Sequence, residues 1–498
     1  MIPILSSLAV NGVFLTLIFI ALLYKYSTRN NDYWKNHGIP YEKPYPFFGN
    51  FFGVLILRKS ISDLLYDYYK KFKHPFFGMF IFDKPYLIIK DPNLIKAVLV
   101  KDFNYFSDRC ILSDEKCDSV SSNMLFLLKN PEWKQVRSKM TPVFTSGKIR
   151  NMTCLMNEAG ASLRKYLNQN LHKDSIESKE MCAKFSTDVI TSCAFGLDAN
   201  SFKNEDAAFR VVGRKMFEFE WLNALRQTSY FLAPSFAKLM RMPFFDLKVT
   251  AFLRDVFWKT IQERKVANKR NDLIDLIKDL KSQSDLKIDG DLIVAQAMQF
   301  FAAGFETVSA TMSFTLYELC LNQKVQRKLK LEIVDTLAGN KEISYDIVQS
   351  MKYLHMVICE TLRKYPVLPF LDRMCMSDYK LPNSNFILKK GTPVYIPMFG
   401  LHHDPAYFPN PDVYDPERFS DENKNNFPCF SYIPFGEGPR NCIGERFGLL
   451  TTKIGIIQIL SEFEIYQSVD TPKSITFSKK AFFLAAEGGI PLKYKRSV

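Results

Sequence analysis

Residues Pro434 to Gly448 read PFGEGPRNCIGERFG, and this stretch decides the fold. Gly436, Gly438 and Gly444 permit tight turns around a single cysteine, Cys442, with Arg440 two positions before it. A thiolate offered from such a turn can accept backbone N–H bonds, which stabilise its charge and tune its donor strength. A helix starting just past Cys442 adds the positive end of its dipole. Read alone, the string also fits a glycine-rich turn around one buried cysteine. A dinucleotide loop fits less well: Gly436-Glu437-Gly438 opens like GxGxxG, but Asn441 holds the third glycine position.

The spacing Phe435-x-x-Gly438-x-Arg440-x-Cys442-x-Gly444 resembles the haem-binding signature of the cytochrome P450 family, the haem-thiolate monooxygenases. Other pieces follow in the family's order. Trp133 and Arg137 share a helix face at i, i+4, where an indole N–H and a guanidinium can bind a carboxylate. The resemblance makes that carboxylate a haem propionate. In Ala303-Gly304-Phe305-Glu306-Thr307, helical spacing puts Phe300, Ala303, Gly304 and Thr307 along one stripe. Small residues there let a flat cofactor approach, Thr307 brings a hydroxyl, and Glu306 stands beside it as a proton source. This resembles the family's oxygen-activating segment. Glu360-Thr361-Leu362-Arg363 fits ExxR, and Pro416-Glu417-Arg418-Phe419 matches the PERF element. The resemblance implies that Glu360, Arg363 and Arg418 form a buried network under the haem loop, and that Arg373 is the second propionate-binding arginine.

The resemblance implies a fold, a cofactor and a reaction together. The fold class is mainly α with a small β portion, one haem-containing globular domain behind an N-terminal transmembrane anchor. The cofactor is haem b (iron protoporphyrin IX), ligated by Cys442 and held by Trp133, Arg137, Arg373, Phe435 and Arg440. Thr307 and Glu306 are the catalytic pair. One oxygen atom of O2 enters a hydrophobic small molecule, as in insect microsomal members that handle xenobiotics. No dinucleotide loop or P-loop is present, so electrons come from NADPH through a separate NADPH–cytochrome P450 reductase, with cytochrome b5 as a further donor. Candidates for the reductase face are Lys134, Lys139, Lys424 and Arg446. The competing functions are a haem-thiolate isomerase or dehydratase, which needs no external electrons, and a non-catalytic haem binder. The Glu306-Thr307 pair favours the monooxygenase, because oxygen activation needs protons.

Composition agrees. Among 498 residues, 47% are hydrophobic and 14% aromatic, which excludes a disordered chain. The 44 Phe residues can line an apolar pocket as well as fill a core. The family's pocket-forming stretches here contain Phe106, Phe126, Phe217, Phe219, Phe231, Phe300, Phe301, Phe370 and Phe483. The net charge of +14 points to acidic partners, and the resemblance leaves no role for nucleic acid. The ten cysteines form no CxxC pair, which reads as free thiols in a reducing compartment.

The flanks set location and architecture. From Ile2 to Tyr24 there is no charged side chain, and Lys25, Arg29 and Lys35 follow. A cleaved secretory signal is the alternative, but the missing basic n-region and the length of the run favour an uncleaved bilayer-spanning anchor with the bulk of the chain on the cytoplasmic side, and the resemblance implies that the membrane is that of the endoplasmic reticulum. The expected divisions are an anchor over residues 1–24, a Pro-rich linker over 25–50 and the haem domain over 51–498. Phe76 to Phe82 and Tyr86 to Ile89 predict a hairpin turning at Asp83-Lys84-Pro85. Asp91-Pro92 and Asn130-Pro131 predict helix starts, the second with Asn130 as N-cap. Helices dominate from about 150 to 365, with polar breaks near 200 and 283. Strands and turns follow Pro366, and helix returns near 440–462. Asp291 to Asn322 is nearly all apolar, but Gln296, Gln299, Glu306 and Thr307 predict a helix buried in protein rather than lipid.

Overall fold

The computed structural model describes residues 2–217, 220–264, 273–274, 290–339 and 342–497. Helix α1 (Ile2–Thr28) precedes the body of the chain, and seven further helices position the site: α2 (Glu132–Met140), α3 (Ser178–Phe195), α4 (Ala208–Phe217), α5 (Trp221–Leu232), α6 (Asp291–Leu321), α7 (Lys352–Lys364) and α8 (Glu445–Leu460). The strands are β1 (Phe76–Ile81), β2 (Lys84–Ile89), β3 (Ile176–Glu177), β4 (Leu371–Met374), β5 (Tyr379–Lys380), β6 (Ile387–Leu388), β7 (Pro393–Ile396), β8 (Phe463–Gln467) and β9 (Pro491–Arg496). The mainly helical class with a minor sheet content is therefore observed.

The apolar segment after Gly290 becomes α6, unbroken for 31 residues because it contains no proline and only one glycine. It packs along α3 and also meets α7 and α8. Gly304 permits the closest approach: a Cβ there would lie 2.4 Å from Ile190 Cδ1 on α3. Its small size thus serves helix packing, while the neighbouring Ala303 has free surface. By length and composition α1 and α6 could both cross a membrane, yet 72% of the most apolar 18-residue stretch of α6 is buried in protein and the run Asn11–Thr28 of α1 is not buried.

The four-stranded sheet has the order β1-β2-β7-β4. Its hairpin pairs Phe76 with Ile89 and Ile81 with Lys84, so the turn is Phe82-Asp83, one residue tighter than expected. Pro85 lies inside β2, opposite Phe80. A smaller core of Leu87, Leu94, Leu388 and Ile433 sits against this sheet, apart from the main helical core. Asp91 caps the next helix by accepting from Asn93 and Leu94 N–H, as expected.

The second helix start differs. Pro131, not Asn130, occupies the N-cap of α2, and no side chain caps that end. Asn130 is instead held by its backbone, its N–H donating to Asp108 Oδ1 at 3.0 Å. A polar break separates α3 from α4 near residue 200. The break expected near 283, and Phe219, lie outside the described residues.

Candidate active site

Cys442 sits in the turn before α8, its N–H donating to Phe435 O at 2.8 Å. Protein surrounds the sulfur, yet the residue keeps free surface because it forms part of a cavity wall. Burial pushes its thiol up to about 11, against the pull of the Gly444 N–H. A metal taken up there must therefore displace a proton.

The cavity measures about 310 Å3 and lies between the Cys442 loop and α6. Ala303, Gly304 and Thr307 line it from α6, while Phe435, Arg440 and Cys442 line it from the loop. Free surface at Ala303 and Thr307, in the middle of a buried helix, marks the face turned to this space. Thr307 Oγ1 donates back to Ala303 O at 2.6 Å, which leaves its lone pairs to the cavity.

Glu306 does not share that face. It is 6% exposed, is not part of the cavity wall, and accepts from Lys179 Nζ of α3 at 2.9 Å. Lys179 also donates to Ser309 Oγ at 2.6 Å. Adjacent helix positions are about 100° apart, so Glu306 and Thr307 diverge where the sequence places them side by side.

One end of the cavity is cationic. Arg109, Arg137, Arg373 and Arg440 all reach its wall, with Trp133 among them. Arg137 donates to Asn441 O at 2.9 Å and Asn441 Oδ1 at 2.7 Å, which fixes the residue before Cys442. Arg440 stacks 4.1 Å over the Trp133 ring. It also donates to Ser107 O, Leu128 O and Asp108 Oδ1, so most of its directed bonds hold the loop. Arg109 pairs with Asp372 at 3.0 Å. Burial opposes the Asp372 charge, but Arg109 and Arg373 keep its carboxyl below the usual range.

Arg373 is the exception. It is 1% exposed, its Nη1 donates to Asp372 O at 2.8 Å, and its buried Nε has no hydrogen-bond partner among the described residues. Burial, followed by Arg109, lowers its pKa to about 9. A buried guanidinium with an unpartnered N–H costs free energy unless an acceptor is supplied. A planar cofactor bearing two carboxylates, with its metal over Cys442, meets that demand, so the residues present fit haem.

Beneath the loop, Glu360 and Arg363 of α7 are both fully buried and form a two-pronged pair at 2.7 and 2.8 Å. Burial pushes the Glu360 carboxyl up, with Arg363 pulling against it. Glu360 also accepts from the Asp415 N–H at 2.9 Å and lies 3.5 Å from Arg418 Nε. Arg363 donates to His402 O at 3.0 Å, and the His402 ring accepts from the Ile433 N–H at 3.0 Å. Ile433 O in turn accepts from the Gly436 N–H. The chain of bonds runs from α7 into the Cys442 loop.

The pocket aromatics divide. Phe126, Phe217, Phe231, Phe300 and Phe483 line the cavity. Phe106 instead packs on Tyr379, Phe301 on Phe195 and Phe209, and Phe370 stacks on Tyr395. Phe482, beside Phe483 in the expected pocket-forming tail, lines it too, and Phe144, Phe244, Phe245 and Phe447 do so without having been singled out. Arg109, Asp372, Lys179 and His402 were also missed as members of the site. The one available signal was an acid beside an arginine in an apolar strand, at Asp372-Arg373. Of the basic candidates, Lys134 and Arg446 are exposed and Lys139 is half-buried. Lys424 is paired with Asp421 at 2.6 Å.

Comparison with known proteins agrees with the geometry. The family profile of cytochrome P450 matches residues 39–492. Cytochrome P450 6k1 of Blattella germanica is 44% identical, covering 97% of this chain and 96% of that protein. Cytochrome P450 6j1 of the same species is 41% identical over 95% of this chain and 96% of that protein. Probable cytochrome P450 6g2 of Drosophila melanogaster is 40% identical over 96% of each. A cysteine loop facing a small-residue stripe across a cavity, and this match from end to end, lead to one conclusion: the chain belongs to the cytochrome P450 family and is a monooxygenase of that family.

Proposed function

We propose that this monooxygenase acts on hydrophobic small molecules, xenobiotics or endogenous lipids, at the endoplasmic reticulum membrane. NADPH supplies electrons through cytochrome P450 reductase, with cytochrome b5 as a further donor. Residues 1–24 are the anchor, 25–50 the linker and 51–498 the catalytic body.

The observation that carries this reading is the pairing of two facts across one cavity. Cys442 lines one wall with its free surface, and an arginine with an unpartnered buried nitrogen lies beside it. Haem, when bound, supplies the activation of O2. Cys442 sulfur would hold its iron, and Arg373 would take a propionate. Trp133 and Arg137 flank that end, and Arg440 keeps the loop in place. Thr307 offers oxygen lone pairs to water in the cavity and so positions a proton there. Glu306, tied to Lys179 behind the helix, acts through water rather than by direct contact. The aromatic wall excludes bulk water and holds an apolar substrate.

The experiment is spectral and catalytic. Purified protein, reduced under carbon monoxide, gives the red-shifted Soret band of a thiolate-bound haem. Added reductase and NADPH then support substrate-dependent oxygen uptake. An ordinary imidazole-type band overturns the assignment of Cys442. Substrate turnover without oxygen or NADPH favours the isomerase instead.

A further inference from the structure

The cavity wall is mostly aromatic and aliphatic, and three of its polar groups are glutamines: Gln227, Gln296 and Gln299. They differ in what they have left to offer. Gln296 is fully engaged, its Oε1 accepting from the Leu125 N–H and its Nε2 donating to Asn123 O and Leu292 O. Gln227 donates through Nε2 to Met216 O at 2.8 Å, so its oxygen is the end left over.

Gln299 is the reverse case. Its Oε1 accepts from the Phe126 N–H at 2.9 Å. A backbone N–H can only donate, so this bond fixes which end of the amide faces which way. The Nε2 end then carries N–H donors with no protein acceptor among the described residues, on a half-buried side chain of the cavity wall. Gln299, Ala303 and Thr307 follow one another at intervals of four along α6. At 1.5 Å per residue the Gln299 Cα lies about 6 Å along the helix from that of Ala303 and about 12 Å from that of Thr307.

We propose that Gln299 is a specificity-determining residue that selects substrates bearing a hydrogen-bond acceptor, such as a carbonyl, ether or epoxide oxygen, on an otherwise apolar body. An apolar ligand lying against Gln299 leaves its N–H groups without a partner in a pocket that excludes water, whereas an acceptor satisfies them. The inference deepens the proposed function and rests on its reading of the cavity as the substrate pocket.

The test uses the full chain, haem-loaded and detergent-solubilised, with benzophenone and diphenylmethane as probes. These differ in one carbonyl against one methylene. Equilibrium dialysis gives the ratio of their dissociation constants for wild type, Gln299→Met and Gln299→Leu. The two probes fill nearly the same space, so loosening of the Phe126 segment cancels in the ratio. The preference for the ketone is expected to fall by roughly 2- to 12-fold in both variants, the worth of one neutral hydrogen bond. An unchanged ratio overturns the role of Gln299. Reduced carbon monoxide spectra of the same samples separate the two layers: a normal thiolate band with an unchanged ratio defeats this inference alone, and a missing band in wild type defeats the haem-site reading with it.

Discussion

The Glu306 carboxylate accepts from Lys179 Nζ at 2.9 Å, behind the helix face on which its neighbour Thr307 meets the cavity. Acid and hydroxyl are therefore divided between two sides of α6. The hydroxyl is the group in direct reach of the cavity.

That division predicts unequal variants. Thr307→Ala should lower product formation by about 100-fold, the lower end of the range for a positioned proton-handling group. NADPH consumption should continue, with the electrons appearing as peroxide or water. Glu306→Gln should have a smaller effect on the same ratio. Product formed per NADPH consumed, measured with peroxide, checks both. Equal effects would contradict the division of roles.

The Cys442 loop depends on two glycines to different degrees. Gly438 has φ +76°, and a Cβ there would lie 2.0 Å from Leu99 O. Gly436 has φ +71°, but its nearest neighbour would be 3.8 Å away. Gly436→Ala should cost about 1–2 kcal/mol, the left-handed penalty alone. Gly438→Ala adds a clash with backbone and should largely abolish haem incorporation. The haem-to-protein ratio and the thermal midpoint of each variant check this.

Glu360→Ala should be severe, because it leaves Arg363 as an uncompensated charge at a fully buried position. Breaking such a pair from one side costs about 3–5 kcal/mol. The expected result is little haem-loaded protein and a lowered denaturation midpoint. Normal haem content would show that the loop does not depend on this network.

Acid should loosen the same network. Burial, followed by His403 and Arg363, lowers the His402 pKa to about 3. His403 is also held near 3, chiefly by burial. Both are neutral when folded and take up a proton when unfolded, at an ordinary value of 6.5. Their contribution to stability is complete above that value and is lost as pH falls from about 6.5 toward 3. Protonation of His402 also removes the ring acceptor for the Ile433 N–H. His402→Gln should remove about half of this pH dependence, since His403 remains. Thermal midpoints and haem release recorded across that range check the sign.

Local spacing made much of this molecule legible in the sequence. The glycines, Arg440 and Cys442 lie within nine residues, so the turn they form is a short-range matter. Glu360 and Arg363 are three apart on one helix, and their pairing follows from helical geometry. The apolar run of α6, interrupted by glutamines, already distinguished a protein-buried helix from a lipid-facing one.

What depends on distant contacts had to wait for the tertiary structure. Only the packing of α3 on α6 turns Glu306 to Lys179, 127 residues away in the chain. Only the meeting of the Asp108–Cys110 segment with β4 brings Arg109 onto Asp372. The same holds for the aromatics: Phe301 and Phe300 are adjacent, yet one fills the core and the other faces the cavity. The physical reason is that residue type and period fix which groups are available on a helix face. Which neighbour arrives at that face is set by long-range packing, and that neighbour decides whether a charge becomes a paired structural ion or a free functional group.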